Sequence, residues 1–458
     1  MLAASFRRVD GDVVAYVKGA PGRLLELSSR MLTPRGPVDL DDDLRATYRR
    51  KNQEMAAKGL RVLAVARRRL PDGSAPGEAS LESLDLIGLM GIADPPAPEV
   101  AKTLRTLHEA GISTVMITGD QAATAEAIAA EIGLLQDGGV VTGQDLVDGD
   151  PEVLSNARVF ARVTPEDKLA IVRTFQERGH SVAMLGDGIN DAPAMKQADV
   201  GVAMGGRGTD VAKETADLVL QDDRLGTVAV AVEEGRVIFT NIRKFVFYLF
   251  SCNLSEVGVL ALAGFTNLPP PLLPLQILWL NLVTDVFPAL ALAVEPAEEG
   301  VMRARPRDPA AAILSRPFLW SVLGYGTVLV LSGAGAFIYV LQQGADAATA
   351  STVAFQTLAL SQLGHVLNAR RRGPVRLGEL LVNRWMLGAA VVTLTLQFAA
   401  VSHPVLIRVL GTVHFTEVPW TPVLLFAALP MVFGQVWKRV RGEGAEGPTG
   451  VPSDAGRP

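Results

Sequence analysis

The residues best suited to phosphate chemistry lie in the stretch MLGDGINDAPAM, positions 184–195. An apolar strand is expected to end at Gly-Asp-Gly, where Asp187 is the acidic residue, and Asn190 and Asp191 follow. Glycines let a backbone approach a phosphate closely, and a carboxylate at a strand end can hold Mg²⁺. The same letters also suit an ordinary tight turn capped by aspartate, so this stretch alone leaves both interpretations open.

Three further signals could act on the same phosphate. Thr118, Gly119 and Asp120 end a second apolar run and offer a hydroxyl and backbone amides. Lys168 opens a predicted helix and could neutralise phosphoryl charge, and Asp94 ends a strand before a proline turn. Each has a plain structural alternative, namely a turn or a solvated helix lysine. Their combination, in this order along the chain, is the more specific signal.

Polar side chains also interrupt two long apolar stretches. Asn253 and Glu256, three residues apart and expected on one helix face, lie in the first; Asn281, Thr284 and Asp285 lie in the second, within WLNLVTD. Ionisable residues inside a bilayer are costly and usually functional. Oxygen ligands from two helices suit a hard cation such as Ca²⁺. The alternative is interhelical hydrogen bonding that only stabilises the bundle.

The elements that would position these residues fall into two halves. Across residues 1–240, short apolar runs alternate with amphipathic stretches, which predicts a parallel doubly wound α/β sheet. Ligands of such sheets bind at the carboxyl ends of the strands, where TGD and GDG are expected. The 458 residues are 49% hydrophobic and 20% charged, with a mean hydropathy of +0.27, which suits a soluble part joined to a membrane part.

Composition excludes several classes of function. The net charge of −5 and the lack of a long basic run argue against a nucleic-acid partner. The single cysteine, Cys252, excludes an internal disulfide framework and a cysteine-rich metal site.

The second half predicts a membrane bundle of six helices. Lys and Arg cluster at alternate connections, which by the positive-inside rule places both ends of the bundle, and the soluble half, in the cytoplasm. We expect a multi-pass protein of the cell membrane. Each apolar stretch is close to the roughly 20 residues that span a bilayer, and they lie at about 245–265, 273–294, 317–341, 350–368, 385–403 and 420–437.

Together these motifs resemble the P-type ATPases, most closely the calcium-pump branch, from about residue 10 to about residue 440. VKGAP resembles the ATP-binding lysine motif, and GLRVLAVA resembles the segment whose arginine contacts nucleotide. DPP, TGD, Lys168 and GDGINDAP match the phosphorylation domain, although Ala97 stands where calcium pumps usually have arginine. The resemblance implies an α/β haloacid-dehalogenase-like, Rossmann-like domain that uses ATP and Mg²⁺.

The resemblance also implies a role for each site residue. ATP contacts fall to Lys18, Gly19, Arg61, Asp94, Thr118, Gly119 and Asp120. The catalytic group comprises Thr118, Asp120, Lys168, Asp187, Asn190 and Asp191, with Asp187 holding Mg²⁺ and Asp191 supporting it. The transported cation, expected to be Ca²⁺, would be bound by Asn253, Glu256, Asn281, Thr284 and Asp285.

The number and identity of the transported ions rest on charge. Gln362 stands where one calcium-pump branch has an acidic ligand, and a neutral amide cannot compensate a second divalent charge in low dielectric. We therefore expect one strong site. Glu256 could instead serve a second weak site or a counter-transported proton, and Na⁺ or K⁺ is the alternative to Ca²⁺. His365 is expected near the membrane interface rather than as a ligand.

The family's phosphorylated aspartate lies in DKTGT, which these 458 residues do not contain. The first four membrane helices, the actuator motif TGE and most of the nucleotide domain are also missing from the resemblance. We therefore expect an incomplete haloacid-dehalogenase-like domain that is inactive alone. A gene fragment, one half of a split pump with a separate amino-terminal half, and a truncated gene model all remain open. The expected divisions are 1–85, a nucleotide-domain remnant; 86–240, the second part of the phosphorylation domain; 241–440, the membrane domain; and 441–458, a disordered tail.

Two other classes of function remain open on the sequence. One is a non-catalytic membrane subunit or fragment that binds cations and nucleotide. The other is a membrane-anchored phosphatase of the haloacid-dehalogenase type, for which Asp94 is the only early nucleophile candidate and Pro95-Pro96 replaces the expected pattern.

Overall fold

A computed structural model of the chain divides into two compact units, residues 1–229 and 230–458, and each is described by itself. The residues that the structure describes are 2–9, 12–70, 81–93, 96–137, 139–145, 156–266, 268–308, 312–371, 373–375, 378 and 382–441.

The first unit begins with a six-stranded sheet flanked by two helices. These elements are β1 (Leu2–Val9), β2 (Asp12–Gly19), α1 (Pro21–Leu27), β3 (Ser28–Thr33), β4 (Gly36–Asp39), α2 (Asp42–Ala56), β5 (Arg61–Arg69) and β6 (Leu84–Ile92). The strand order is β1-β2-β5-β6-β3-β4, and only β3 and β6 pair in parallel. Alternation along the strands buries Val17, Ala64 and Ala66 against Leu24 and Leu25 of α1.

Two parallel three-stranded sheets form the rest of this unit. The first has the order β7-β9-β8 and the second the order β10-β11-β12. Helices precede or follow their strands, as α/β connections require. The elements are α3 (Val100–Glu109), β7 (Met116–Ile117), α4 (Ala122–Glu131), β8 (Gly139–Thr142), β9 (Ala157–Ala161), α5 (Pro165–Glu177), β10 (Ala183–Gly186), α6 (Ala192–Gln197), β11 (Val200–Met204), α7 (Asp210–Thr215) and β12 (Leu218–Leu220).

The predicted α/β class is confirmed, but its single parallel sheet is not what the described residues form. β7 and β10 are each an edge strand of their own sheet. Ile117 of β7 nevertheless packs against the apolar cluster that contains Val172 of α5 and Met184 of β10. The two parallel sheets therefore share apolar packing without being joined into one ladder over the described residues.

The expected divisions of the chain differ from the elements of the structure. The boundary at 85/86 falls inside β6, which pairs with both β3 and β5. The boundary at 240/241 falls inside one long helix, α8 (Leu225–Thr266), and the compact units divide nearer its start. A change of composition cannot locate a boundary that a continuous strand or helix crosses. The expected disordered tail begins at Arg441 and otherwise lies outside the described residues.

The second unit is helical. After α8 come α9 (Pro274–Trp279), a π-helix (Leu280–Asp285), α10 (Val286–Ala293), α11 (Arg316–Gln342), α12 (Ala347–Arg370), α13 (Arg384–Ser402), α14 (Pro404–Leu410) and α15 (Trp420–Arg441). Among the described residues, five helical segments are long and apolar enough to cross a membrane: Leu225–Thr266, Pro274–Ala293, Arg316–Gln342, Arg384–Ser402 and Trp420–Val440. They coincide with five of the six predicted stretches.

The remaining predicted stretch, 350–368, is helical but is not among those five. It forms most of α12, whose 24 residues give sufficient length. Its buried side chains include Gln356, Gln362, His365 and Asn368. A helix packed on its neighbours along most of its surface need not be apolar all round, because those polar groups find partners inside the bundle.

The second predicted span is irregular at the residues expected to bind the ion. Pro288 in α10 has no N–H to donate to the carbonyl of Thr284 four residues earlier. The hydroxyl of Tyr248 in α8 donates to that carbonyl at 3.3 Å. The π-helix just before Pro288 is the kind of widened turn that often lies at functional sites.

Candidate functional site

The Gly-Asp-Gly turn follows the carboxyl end of β10 and is organised by Asp191. The Oδ2 of Asp191 accepts the backbone N–H groups of Asp187, at 3.3 Å, and of Gly188, at 3.2 Å. A Cβ at Gly186 would collide with the Asp191 side chain, so this position requires glycine. Asp191 is 7% exposed, whereas the side chain of Asp187 is exposed to solvent. The turn therefore exposes the Asp187 carboxylate to solvent, while hydrogen bonds to Asp191 hold the backbone of the turn in place.

Lys168 joins this turn from another element. A capping box of Thr164 and Asp167 fixes the start of α5, and Lys168 lies in its first turn. The Lys168 Nζ lies 2.5 Å from the Asp191 Oδ1, and the two side chains are 18% and 10% exposed. Lys168 and the carboxylate of Asp191 thus meet beside the strand end that Asp187 follows. Their role in phosphoryl transfer stays a prediction.

The Thr118-Gly119-Asp120 turn follows β7. The Thr118 hydroxyl donates to the Asp120 carboxylate at 3.2 Å and accepts the Asp120 N–H at 3.1 Å. Arg61, the first residue of β5, places its Nε 3.6 Å from the Asp120 Oδ1. Two of the residues expected to contact nucleotide, far apart in sequence, therefore lie together.

The other expected nucleotide residues are less closely placed. Lys18 and Gly19 end β2, which pairs with β5 so that Gly19 is opposite Ala64, three residues after Arg61. Lys18 is exposed and Gly19 is buried. Asn190 is exposed in the 3₁₀ turn that includes Asp191. Asp94 lies outside the described residues.

Asp199 stabilises the start of β10, the strand that Asp187 directly follows. The backbone N–H of Val182, next to β10, donates to the Asp199 carboxylate at 2.8 Å, and the Gln176 amide donates at 3.2 Å. The Val182 hydrogen bond, aided by Gln176 and opposed by burial, lowers the pKa of Asp199 below its usual value. The ionised carboxylate therefore stabilises the local fold at the start of β10.

Within the second unit, Glu256 of α8 connects three helical segments. It is 3% exposed, the Asn281 amide donates to its Oε2 at 2.9 Å, and the Gln362 amide donates to its Oε1 at 3.2 Å. A side-chain amide can turn its oxygen instead of its nitrogen toward the same point. Glu256, Asn281 and Gln362 can thus offer a set of oxygen atoms to a cation.

Asp285 and Thr284 extend this oxygen set and have unsatisfied atoms. They are 1% and 0% exposed, and the Asp285 Oδ1 accepts the Tyr248 hydroxyl at 3.4 Å. In the part of the chain that the structure describes, Asp285 Oδ2, Thr284 Oγ1 and Gln362 Oε1 have no hydrogen-bond partner. Buried oxygens without partners are costly, and a hard cation is the partner that such oxygens favour.

Asn253 is not brought to this cluster. Its side chain is exposed, and its amide donates to the carbonyl of Leu249 in its own helix at 2.8 Å. A spacing of three leaves two residues about 60° apart around a helix, so Asn253 and Glu256 can still point to different surroundings. His365, expected near the interface, is 0% exposed and packs against the rings of Phe247 and Tyr325.

Sequence reasoning missed Tyr248 as a member of the cluster. It lies eight residues before Glu256, on the same face of α8, and is 0% exposed. That helical spacing was an available signal. Its contact with the carbonyl that Pro288 leaves free could not be read from either helix alone.

Comparison with known protein families identifies both halves. Residues 269–440 match the family model described as the carboxyl-terminal region of cation-transporting ATPases. Residues 28–199 and 169–232 match two models of haloacid dehalogenase-like hydrolases.

Curated relatives align with about three quarters of the chain or more. A "Calcium-transporting ATPase" of Bacillus subtilis (strain 168) is 42% identical over 437 residues, covering 94% of this chain and 49% of the relative. "Calcium-transporting ATPase 1" of Bacillus cereus is 37% identical over 456 residues, covering 94% and 51%. "Calcium-transporting ATPase 1" of Saccharomyces cerevisiae is 39% identical over 348 residues, covering 74% and 36%. The chain spans about half the length of the bacterial relatives.

Proposed function

The chain belongs to the cation-transporting P-type ATPases, and from this we propose that it is the carboxyl-terminal part of a pump that couples ATP hydrolysis to the transport of Ca²⁺. The observation that carries the proposal is the buried oxygen cluster around Glu256 and Asp285 in the membrane unit. A soluble hydrolase has no use for two buried carboxylates between apolar helices, whereas an ion carrier needs them.

The cytoplasmic unit supplies the phosphoryl site of this pump. Lys168 neutralises charge that moves during phosphoryl transfer, and Asp191 holds both Lys168 and the Gly-Asp-Gly backbone in place. Thr118 and Asp120 orient phosphate and nucleotide, with Arg61 beside them. Lys18 and Gly19 complete the nucleotide contacts.

Mg²⁺ fits this site. Asp187 offers an exposed carboxylate on a turn whose backbone Asp191 fixes, which is the one-carboxylate arrangement that Mg²⁺ uses beside phosphate oxygens. When bound, Mg²⁺ neutralises charge on the transferring phosphoryl group. Asp187 would hold the ion, and Asn190 and Asp191 would support that position.

The charge of the cation cluster favours one divalent ion. Glu256 and Asp285 bring two carboxylates, which balance one Ca²⁺, and Gln362 adds only a neutral amide. A second uncompensated divalent charge would cost several kcal/mol in this environment. We infer a single strong site formed by Glu256, Asn281, Thr284 and Asp285, to which the structure adds Gln362 and Tyr248 as neighbours.

DKTGT does not occur in these 458 residues. We propose that a separate segment carrying DKTGT pairs with the edge strands β7 and β10, whose sheets already share packing through Ile117. An edge strand offers unpaired backbone groups to such a partner. By itself the chain would then neither hydrolyse ATP nor become phosphorylated.

We also propose that all six predicted stretches cross the cell membrane, including the polar helix α12, with both ends of the bundle in the cytoplasm. The Lys and Arg residues at alternate connections support this orientation. The burial of α12 among other helices explains why its hydropathy is lower.

The proposal is tested by phosphorylation. The purified chain is incubated with labelled ATP and Mg²⁺, alone and with an amino-terminal half that carries DKTGT, and acid-stable label is counted. We expect label only in the combined sample, lost with Asp187→Asn and kept with Asp145→Asn, an exposed aspartate of the same unit. Robust Mg²⁺-dependent turnover by the chain alone would favour the phosphatase interpretation instead.

A further inference from the structure

A cavity of about 620 Å³ lies within the membrane unit, and none of the residues assigned above to ion binding or phosphoryl transfer lines it. Its walls come from α8 at positions 232–244, from the segment 296–307 after α10, and from positions 371, 373 and 374 after α12. The volume is within the range of about 300–1,000 Å³ that holds small ligands.

The cavity is basic and partly pre-ordered. Five cationic residues and two glutamates line it, an excess of three positive charges; the cations are Arg236, Lys244, Arg305, Arg307 and Arg371. Lys244, 1% exposed, is paired with Glu298 at 2.6 Å. Arg236 donates to the carbonyls of Val301 and Ala304, at 3.0 and 2.8 Å, and so holds the loop that carries Arg305 and Arg307.

Arg305 and Arg307 are the groups best placed to meet an anion. Both side chains are exposed. The Arg307 guanidinium lies 4.3 Å from the centre of the Phe239 ring, which fixes it without neutralising its charge. Guanidinium groups match phosphate oxygens with two parallel hydrogen bonds, and weaker hydration makes them better partners than lysine at such sites.

The position of the cavity points to the source of the phosphate. All three wall segments adjoin predicted spans at the ends rich in Lys and Arg: before 245–265, after 273–294 and after 350–368. Under the proposed orientation these ends share the cytoplasmic leaflet, whose anionic lipids attract basic residues next to the membrane. Val232, Val237 and Phe239 add apolar surface beside the charges.

We propose that this cavity binds the phosphate of an anionic phospholipid headgroup, with Arg305 and Arg307 as its principal contacts. The inference rests on the orientation given under the proposed function. Lipid binding is measured without ATP or a transported ion, so its failure would leave the pump assignment standing, and failure of the pump assignment would leave a measured lipid site standing.

The test is native mass spectrometry of the 458-residue chain with phosphatidylglycerol and with phosphatidylcholine of the same acyl chains. We expect a preference for phosphatidylglycerol that falls about thirtyfold in the double variant Arg305→Gln/Arg307→Gln and about fivefold in Arg305→Gln alone, from the usual contribution of a basic residue near an anionic leaflet. Arg408→Gln, an exposed arginine at a connection predicted on the opposite side, should keep the full preference.

Three results of the lipid comparison would each overturn the proposal, and a competition experiment adds a fourth. The three are equal binding of the two lipids by the unsubstituted chain, an unchanged preference in the double variant, and an equal loss in Arg408→Gln. Displacement of phosphatidylglycerol by millimolar inorganic phosphate would assign the cavity to a free phosphate and contradict the lipid assignment. Circular dichroism checks that each variant is folded, and the exposed Arg305→Gln provides a substitution that removes no buried contact.

Discussion

The contact between Lys168 and Asp191 should control how firmly the Gly-Asp-Gly turn is held. Asp191→Asn keeps the shape of the side chain but removes the charge that Lys168 faces at 2.5 Å and weakens two backbone hydrogen bonds. Hydrogen bonds to charged groups contribute about 1.5–3 kcal/mol each. Because asparagine retains one acceptor oxygen, we expect a local loss of about 2–3 kcal/mol.

Hydrogen exchange measures this loss directly. Amides at positions 182–191 should exchange about 30- to 140-fold faster in Asp191→Asn, since 1.4 kcal/mol corresponds to a factor of ten. The matched control is Asp145→Asn, which removes an exposed carboxylate and should leave these amides unchanged. Lys168→Met should recover part of the loss when it is combined with Asp191→Asn, because it removes the cation left without its partner.

A double-mutant cycle of Asp191→Asn and Lys168→Met tests whether the contact between these two side chains organises the turn. Contacting residues in one network are expected to show a coupling of about 0.5–3 kcal/mol. Unchanged exchange in Asp191→Asn, or losses that simply add in the double variant, would show that this contact does not organise the turn.

Two further results follow from the geometry and the charge pattern. The pKa of Asp199 is lower in the folded state than in the unfolded chain, so its carboxylate stabilises the fold at pH values above the unfolded-state pKa, and this stabilisation is lost as pH falls through the folded-state pKa. Asp199→Asn should therefore speed amide exchange near Val182 at neutral pH, and exchange in this variant should rise less on acidification than in the unsubstituted chain. Parallel pH profiles of the two proteins would contradict this. Reporter fusions after positions 268 and 345 should be exported and those after 310 and 375 retained, and a single reversed reporter would break the six-span topology.

Much of the candidate site in the first unit could be predicted because its groups are fixed by local sequence. Gly186 and Gly188 flank Asp187 within one turn, and the helix start that carries Lys168 has its capping box beside it. Strand ends and helix starts are encoded by nearby residues. The resemblance implied that Arg61 and Asp120 each contact nucleotide, but their mutual contact was not predicted, because it depends on how distant strands are arranged.

The membrane cluster was predicted less completely, for a physical reason. Helical spacing says which residues share a face, but not which neighbour that face meets. Asn253 was grouped with Glu256 by a spacing of three, yet it is exposed and bonded to Leu249 in its own helix. Tyr248 reaches Asp285 only because the π-helix and Pro288 reshape the neighbouring segment.

The sheets of the first unit show a similar limit. The parallel pairing predicted across residues 1–240 holds in the two three-stranded sheets, whereas four of the five pairings in the six-stranded sheet are antiparallel. Local pattern does not reveal which strands become neighbours. The edge positions of β7 and β10 emerged only from the assembled sheets.

Equilibrium Ca²⁺ binding to a pump assembled from this chain and an amino-terminal half that carries DKTGT tests the central claim most directly. We expect one tightly bound Ca²⁺ per pump, with binding abolished by Asp285→Asn and unaffected by Asp346→Asn, which removes an exposed carboxylate from the same unit. Two tightly bound Ca²⁺ ions would contradict the single site, and selective binding of Na⁺ or K⁺ would contradict the ion assignment. Undiminished binding in Asp285→Asn would remove the buried oxygen cluster as the transport site.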